Sequence, residues 1–195
     1  GMMVSTNFRK MSLRDLKEHW QGQVPARLAL HVAEQAARSV LAIHALADDA
    51  GRIELVHGDL TPDNLRLGSR GEVRLLDLGN ARFRGFQAEL DTGAREAAPY
   101  VAPEVARGEA ASSQRSDVYA LAATIAWLLL EGESPLADSV DDAALLLAIG
   151  ERGLDPSRLS ALPAPVRDAL RALLADEPTR RDVDLGRLLR ALGGV

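Results

Sequence analysis

The stretch His57-Gly58-Asp59-Leu60-Thr61-Pro62-Asp63-Asn64 decides the fold when it is read together with the residues after it: Leu65-Arg66-Leu67, Gly68-Ser69-Arg70-Gly71, Val73-Arg74-Leu75-Leu76 and then Asp77-Leu78-Gly79. Two short apolar-rich runs flank a glycine-bounded turn, which predicts a β-hairpin with a loop of about four or five residues. A hairpin brings its two ends together. Asp59 and Asn64 at its entrance and Asp77 at its exit are therefore expected to converge. Two carboxylates and one amide oxygen are hard ligands, suited to Mg2+ and to orienting a hydroxyl. Gly79 is expected to let the chain turn directly after Asp77. His57 is expected to pack beneath the loop as a core histidine.

Working outward, Ser12-Leu13-Arg14-Asp15-Leu16 reads as a short helix with Ser12 as its N-cap. Pro25 opens a long helix to about Ala47, with Leu28, Val32, Gln35, Ala36, Ser39, Val40 and Ile43 at helical spacing. His44 near its end reads as a packing or cap residue, and Asp48-Asp49-Ala50-Gly51 ends it. From Gly79 to Tyr100 no periodicity is visible, which predicts an exposed loop. Thr92 is the sole hydroxyl between Asn80 and Pro99 and hence the sole phosphosite candidate there. Ser116-Asp117 is expected to cap a helix that is apolar almost all round, through Val118, Leu121, Ile125 and Leu129, and such a helix belongs in the middle of a domain. Gly132 and Pro135 stop it. Amphipathic helices are expected over about Asp141 to Gly150, Pro163 to Leu174 and Asp184 to Leu192. The fold class is mainly α with a small β-hairpin, in a single domain over residues 1–195.

Together these stretches resemble the C-terminal lobe of protein kinases, on the Ser/Thr side. The 57–79 stretch resembles the catalytic loop and the metal motif, Ala102-Pro103-Glu104 the APE motif, Ser116 to Leu121 the opening of the central helix, and Asp176-Glu177-Pro178-Thr179-Arg180 the DPxxR segment. The resemblance implies that Asp59 is the base that orients a substrate hydroxyl. It implies that Asn64 and Asp77 hold Mg2+, with Gly79 beside the nucleotide. Glu104 would pair with a buried Arg180, and Asp117 would accept hydrogen bonds from the catalytic-loop backbone. In this frame residues 1–11 are a residual hinge or tag segment, 80–104 an activation-segment-like loop and 116–131 the central buried helix.

Departures shape the expected function. No GxGxxG occurs, and neither Lys10 nor Lys17, the sole lysines, sits in a strand like that of the ATP-binding lysine. Too few residues precede Ser12 for an N-lobe, so a C-lobe without its N-lobe is expected. Gly58 replaces the arginine that reads a phosphorylated loop, Thr61 a phosphate-contacting lysine, and Glu96-Ala97 the Gly-Thr pair whose threonine bonds the base. The expectation is a pseudokinase-like regulatory or binding module, with Mg2+ and ATP held weakly or not at all by the isolated chain. One alternative is the catalytic half of a kinase completed by a separate or upstream N-lobe; another is a small-molecule phosphotransferase. The face an N-lobe would cover is expected to meet a protein partner or a second copy.

Composition limits the remaining classes. With 47% hydrophobic residues the chain can bury a real core. A net charge of −5 argues against nucleic acid or an anionic membrane as partner. No cysteine means no disulfide and no thiolate metal site. Gly1 before Met2 reads as a tag scar, no signal peptide is visible, and a cytoplasmic location is expected.

Overall fold

The computed structural model describes residues 11–87, 98–130 and 156–194. Thr92, Glu96, Ala97, Lys10 and the helix expected over 141–150 lie outside them. Strand β1 (Met11–Ser12) leads into helix α1 (Leu13–His19). Ser12 caps α1 as expected: its Oγ accepts from the Asp15 N–H at 3.0 Å, and its own N–H donates to Asp15 Oδ2 at 2.8 Å. This reciprocal box satisfies two donors that a helix start otherwise leaves open. Those bonds also hold the Asp15 carboxyl below its ordinary range.

Helix α2 (Ala26–His44) begins after Pro25. It buries Ala29, Val32, Ala33, Ala36, Ala37 and Val40, a stripe of mostly small side chains that lets its neighbours approach closely. It ends at His44, earlier than expected, because residues 47–52 form their own ribbon, β2 (Ala47–Asp48) with β3 (Gly51–Arg52). The expected hairpin is β4 (Leu65–Leu67) with β5 (Val73–Leu75), and β1 joins it as a third strand through Met11↔Leu67 and Ser12↔Arg66. Ser39 Oγ donates to the Val73 carbonyl at 2.6 Å, tying the hairpin to α2. Within the expected loop after Gly79, residues 82–87 pair as a ribbon, β6 (Arg82–Phe83) with β7 (Phe86–Gln87). Segments this short carry too little alternation to be read as strands.

Helix α3 (Pro103–Ala106) precedes α4 (Gln114–Leu129), which is buried along almost its whole length. The cap of α4 is Ser113, not Ser116: Ser116 sits one turn in and closes a second capping box with it. The helix therefore starts earlier than Ser116-Asp117 suggested. Lys17 supplies the other end. Its ammonium donates to the carbonyls of Trp127 and, at 3.0 Å, Leu130, and lies 4.5 Å from the centre of the Trp127 ring. It thus completes carbonyls that a helix C-terminus leaves open. Burial pushes Lys17 down to about 8. Helices α5 (Ala164–Leu173) and α6 (Leu185–Gly193) complete the lobe, and the apolar core runs continuously from α1 through α2 and α4 to both.

The buried ion pair of Glu104 is made with Arg181, not with Arg180. Arg181 Nη1 and Nη2 donate to the two Glu104 oxygens at 2.7 and 2.9 Å. The same guanidinium donates to the carbonyls of Ala175, Arg115 and Asp176 and lies over the Tyr119 ring. Arg180 is exposed. Counting three residues on from Pro178, rather than four from Asp176, arrives at the right arginine.

Candidate active site

The loop is suspended from α4. Asp117, 2% exposed, accepts from the His57 N–H on Oδ2 at 2.7 Å and from the Gly58 N–H on Oδ1 at 2.9 Å. This is the placement the sequence implied for it. Thr124 Oγ1, further along the helix, donates to the Leu60 carbonyl at 3.0 Å. On the other side the Leu13 N–H donates to the Pro62 carbonyl at 3.0 Å, and Arg14 clamps the Asp63 carboxylate with contacts of 2.7–2.9 Å.

His57 is fully buried under the loop, as expected. Its Nδ1 accepts from the Asp59 N–H at 3.3 Å, so Nε2 carries the proton and donates to the Leu76 carbonyl at 3.0 Å. One ring thereby spaces Asp59 from the residue before Asp77. Gly58 has φ +80°, and a Cβ there would stand 2.7 Å from the Asn80 carbonyl oxygen. The close approach of these two segments requires glycine, a constraint the sequence did not reveal.

Asn64 joins both halves of the site. Its Nδ2 donates to the Asp59 carbonyl at 3.0 Å and to Asp59 Oδ2 at 2.8 Å, and its carbonyl accepts from the Leu76 N–H at 2.8 Å. The ladder thus runs one step past the hairpin and delivers Asp77 beside Asn64. Asp77 itself takes the left-handed turn, at φ +59°, and its Oδ1 accepts from the Gly79 N–H at 3.1 Å. Gly79 lies in the turn that follows, closed by the Ala81 N–H donating to the Leu78 carbonyl at 3.0 Å, although the left-handed backbone falls on Asp77 and not on the glycine. Gly79 also keeps clear a space beside that carboxylate, since a Cβ there would lie 3.0 Å from Asp77 Oδ1.

The two carboxylates differ in setting. Asp77 is exposed. Asp59 is half-buried, and its pKa is raised, first by desolvation and further by the charges of Asp77 and Asp63, against the Asn64 hydrogen bond and His57. Its Oδ1 is buried without a partner among the described residues. Asp59 also lines a small cavity together with Gly58, Thr61, Tyr100, Ala102 and Ser116. Its Oδ1 is uncommitted hydrogen-bonding capacity.

The donor set fits Mg2+. With its amide nitrogen committed to Asp59, Asn64 keeps Oδ1 for a cation, and Asp77 adds a carboxylate. Among the described residues no group of three His, Asp or Glu side chains forms a metal cluster. Two protein oxygens suffice for an ion that keeps waters and substrate phosphates as its other ligands. Also among the described residues, no helix is long and apolar enough to cross a membrane.

The loop of Asp59 hung from a buried helix, the hairpin that ends in Asp77, and the buried Glu104–Arg181 ion pair are arranged as in a fold of protein-kinase type. Residues 2–183 match the model of the protein kinase domain, and the chain belongs to that family. It is similar to the serine/threonine-protein kinase drp72 of Corynebacterium efficiens, with 32% identity over 99% of this chain and 35% of the relative. It is similar also to PknA of Corynebacterium glutamicum, with 30% identity over 96% of this chain and 38% of the relative, and to the tyrosine-protein kinase MasK of Myxococcus xanthus, with 31% identity over 93% and 27%. The chain spans about a third of the length of these relatives.

Proposed function

We propose that the chain is the catalytic-loop half of a Ser/Thr protein kinase and that it takes part in transfer of the γ-phosphoryl group of ATP to a protein hydroxyl. The observation that carries this reading is the Asp59–Asn64–Asp77 arrangement, in which one amide fixes the base and still presents an oxygen to a cation. Asn64 and Asp77 would hold Mg2+, which when bound neutralises phosphate charge. Asp59 orients the acceptor hydroxyl and takes its proton. The hydroxyl oxygen bonds to phosphorus as the bond to the β–γ bridging oxygen breaks, and ADP carries that electron pair away. Relatives named as protein kinases favour a protein acceptor over a small molecule. The Gly-rich loop and its lysine, absent from this sequence, would come from further polypeptide.

Leu76 and Leu78, 44% and 57% exposed, flank Asp77 and supply an apolar rim on which that polypeptide, another partner or a second copy could close. The test is radiolabel transfer from ATP to a Ser/Thr protein by the full polypeptide. Transfer abolished by Asp59→Asn and by Asp77→Asn supports the reading; transfer unaffected by both overturns it.

A pseudokinase-like binding module is the second reading. Thr61 favours it: it is buried beside Asp59, and among the described residues the cavity there is lined by no lysine or arginine. No transfer in the same assay, with a partner retained, selects this reading.

A further inference from the structure

We propose that the groove between the end of α2, strand β3 and the N-terminal ends of α4 and α6 is a docking surface for an acidic peptide segment of a partner protein. Apolar side chains of the segment seat between Leu41 and Val183, and its carboxylates meet Arg52 and Arg115. The groove encloses about 560 Å3, within the range of about 300–1,000 Å3 that ligand sites occupy. Val118 and Leu185, each 2% exposed, line its buried side. Leu41 on α2 and Val183 before α6, 43% and 46% exposed, line its opening. Apolar side chains left in water on one concave surface mark a place where another molecule is held.

Charge selects the occupant. The chain as a whole is acidic, with a net charge of −5, yet among the described residues no carboxylate lines the groove and two arginines do. Arg52 is exposed and has no ion-pair partner among the described residues. Arg115 Nη1 donates to the carbonyls of Pro178 and Arg181 at 3.0 and 3.1 Å, neither of which carries a charge. The carboxylates that flank Val183 are already engaged: Asp182 by the Asp184 N–H and Arg187, Asp184 by the Gly186 N–H and Arg190. Two guanidinium forks over an apolar floor complement carboxylates interleaved with apolar side chains and repel a basic segment. The walls are also fixed in advance. Gln114 Nε2 donates to the His44 carbonyl at 3.4 Å and to the Leu55 carbonyl at 3.0 Å, while Arg115 holds the chain that leads to Val183. Both walls therefore hang on the first turn of α4, and a segment docking there orders little of the protein. Asp59, Asn64 and Asp77 do not line the groove, so docking does not rest on the transfer proposed above.

The test uses the full polypeptide and a fluorescein-labelled peptide that alternates leucine with glutamate, with a peptide alternating leucine with lysine as its control, both read by fluorescence anisotropy. The acidic peptide is expected to bind, and to bind less well as salt rises, while the basic one does not bind. Arg52→Glu is expected to weaken the acidic peptide about threefold or more. Leu41→Asp, which removes an apolar wall and adds a like charge, is expected to weaken it about tenfold or more. No binding of the acidic peptide at millimolar concentration, equal binding of the basic one, or binding that neither substitution changes overturns the proposal. Self-association of the unsubstituted protein that Leu41→Asp abolishes also overturns it and assigns the groove to a second copy. Should Leu41→Asp not fold, amide shifts of the unsubstituted protein on adding the acidic peptide decide: changes centred on Ala45, Arg52 and Val183 support the proposal, and changes centred elsewhere overturn it.

Discussion

Replacing Arg181 by alanine separates two neighbouring arginines that the sequence alone confuses. The Arg181 side chain is fully buried and that of Glu104 is 6% exposed. Removing the guanidinium deletes two charge-assisted bonds and leaves the Glu104 carboxylate buried with no other hydrogen-bond donor among the described residues. Breaking one side of a buried pair costs about 3–5 kcal/mol. Arg181 also serves three backbone carbonyls and covers Tyr119, so the upper end, about 4–5 kcal/mol, is expected. In a domain of this size each kcal/mol lowers Tm by about 2–4 °C, so a fall of roughly 8–20 °C is expected. Arg180→Ala removes an exposed side chain and is expected within about 0.5 kcal/mol of the parent. Urea unfolding of both variants, read as midpoint at constant m, makes the measurement. Equal losses, or a larger loss for Arg180→Ala, would refute the assignment.

Three further outcomes are expected. Lys17 is held at about 8 by burial against an ordinary 10.5, so between those values the unfolded chain binds the proton that the folded one has released, and stability rises with pH across that window. Lys17→Met should flatten that rise, seen as unfolding free energy against pH. Asp59 has a raised pKa, so its charged form is disfavoured by folding at neutral pH. Asp59→Asn should therefore raise the urea midpoint at pH 7 while abolishing transfer, whereas at pH 3, where the carboxyl is already neutral, the gain should vanish. Gly58→Ala places a side chain at φ +80° against the Asn80 carbonyl. The left-handed backbone alone costs about 1–2 kcal/mol and the clash adds to it, so a lower Tm and faster exchange at Asp59 are expected by calorimetry and NMR.

Much of this architecture is legible in the residues because local chemistry and tertiary demand agree. Ser12 with Asp15 writes its own cap, and the almost unbroken apolar run from Val118 to Leu128 can only be a central helix. The hairpin and the convergence of Asp59, Asn64 and Asp77 come from two strands and a glycine turn. What escapes the sequence depends on approach between distant segments. Gly58 looks like a lost arginine and is in fact the one residue that clears Asn80. Lys17 is marked in the sequence only by its absence from a strand like that of the ATP-binding lysine, yet it closes the far end of α4. The start of α4 is displaced because Ser113 and Ser116 are both good caps and only their reciprocal bonding decides between them. The ribbons at 47–52 and 82–87 are pairings of two residues each, below the length at which alternation is a signal.

Paramagnetic Mn2+ in place of Mg2+, titrated into the full polypeptide with ATP, reports most directly on whether Asn64 and Asp77 hold the metal. The Asn64 side-chain amide and the Gly79 N–H, which hydrogen-bonds Asp77, should broaden first and at substoichiometric metal, and Asp77→Asn should remove the effect. Broadening that begins at other carboxylates, or that survives Asp77→Asn, contradicts a metal-bearing phosphotransfer site at this hairpin.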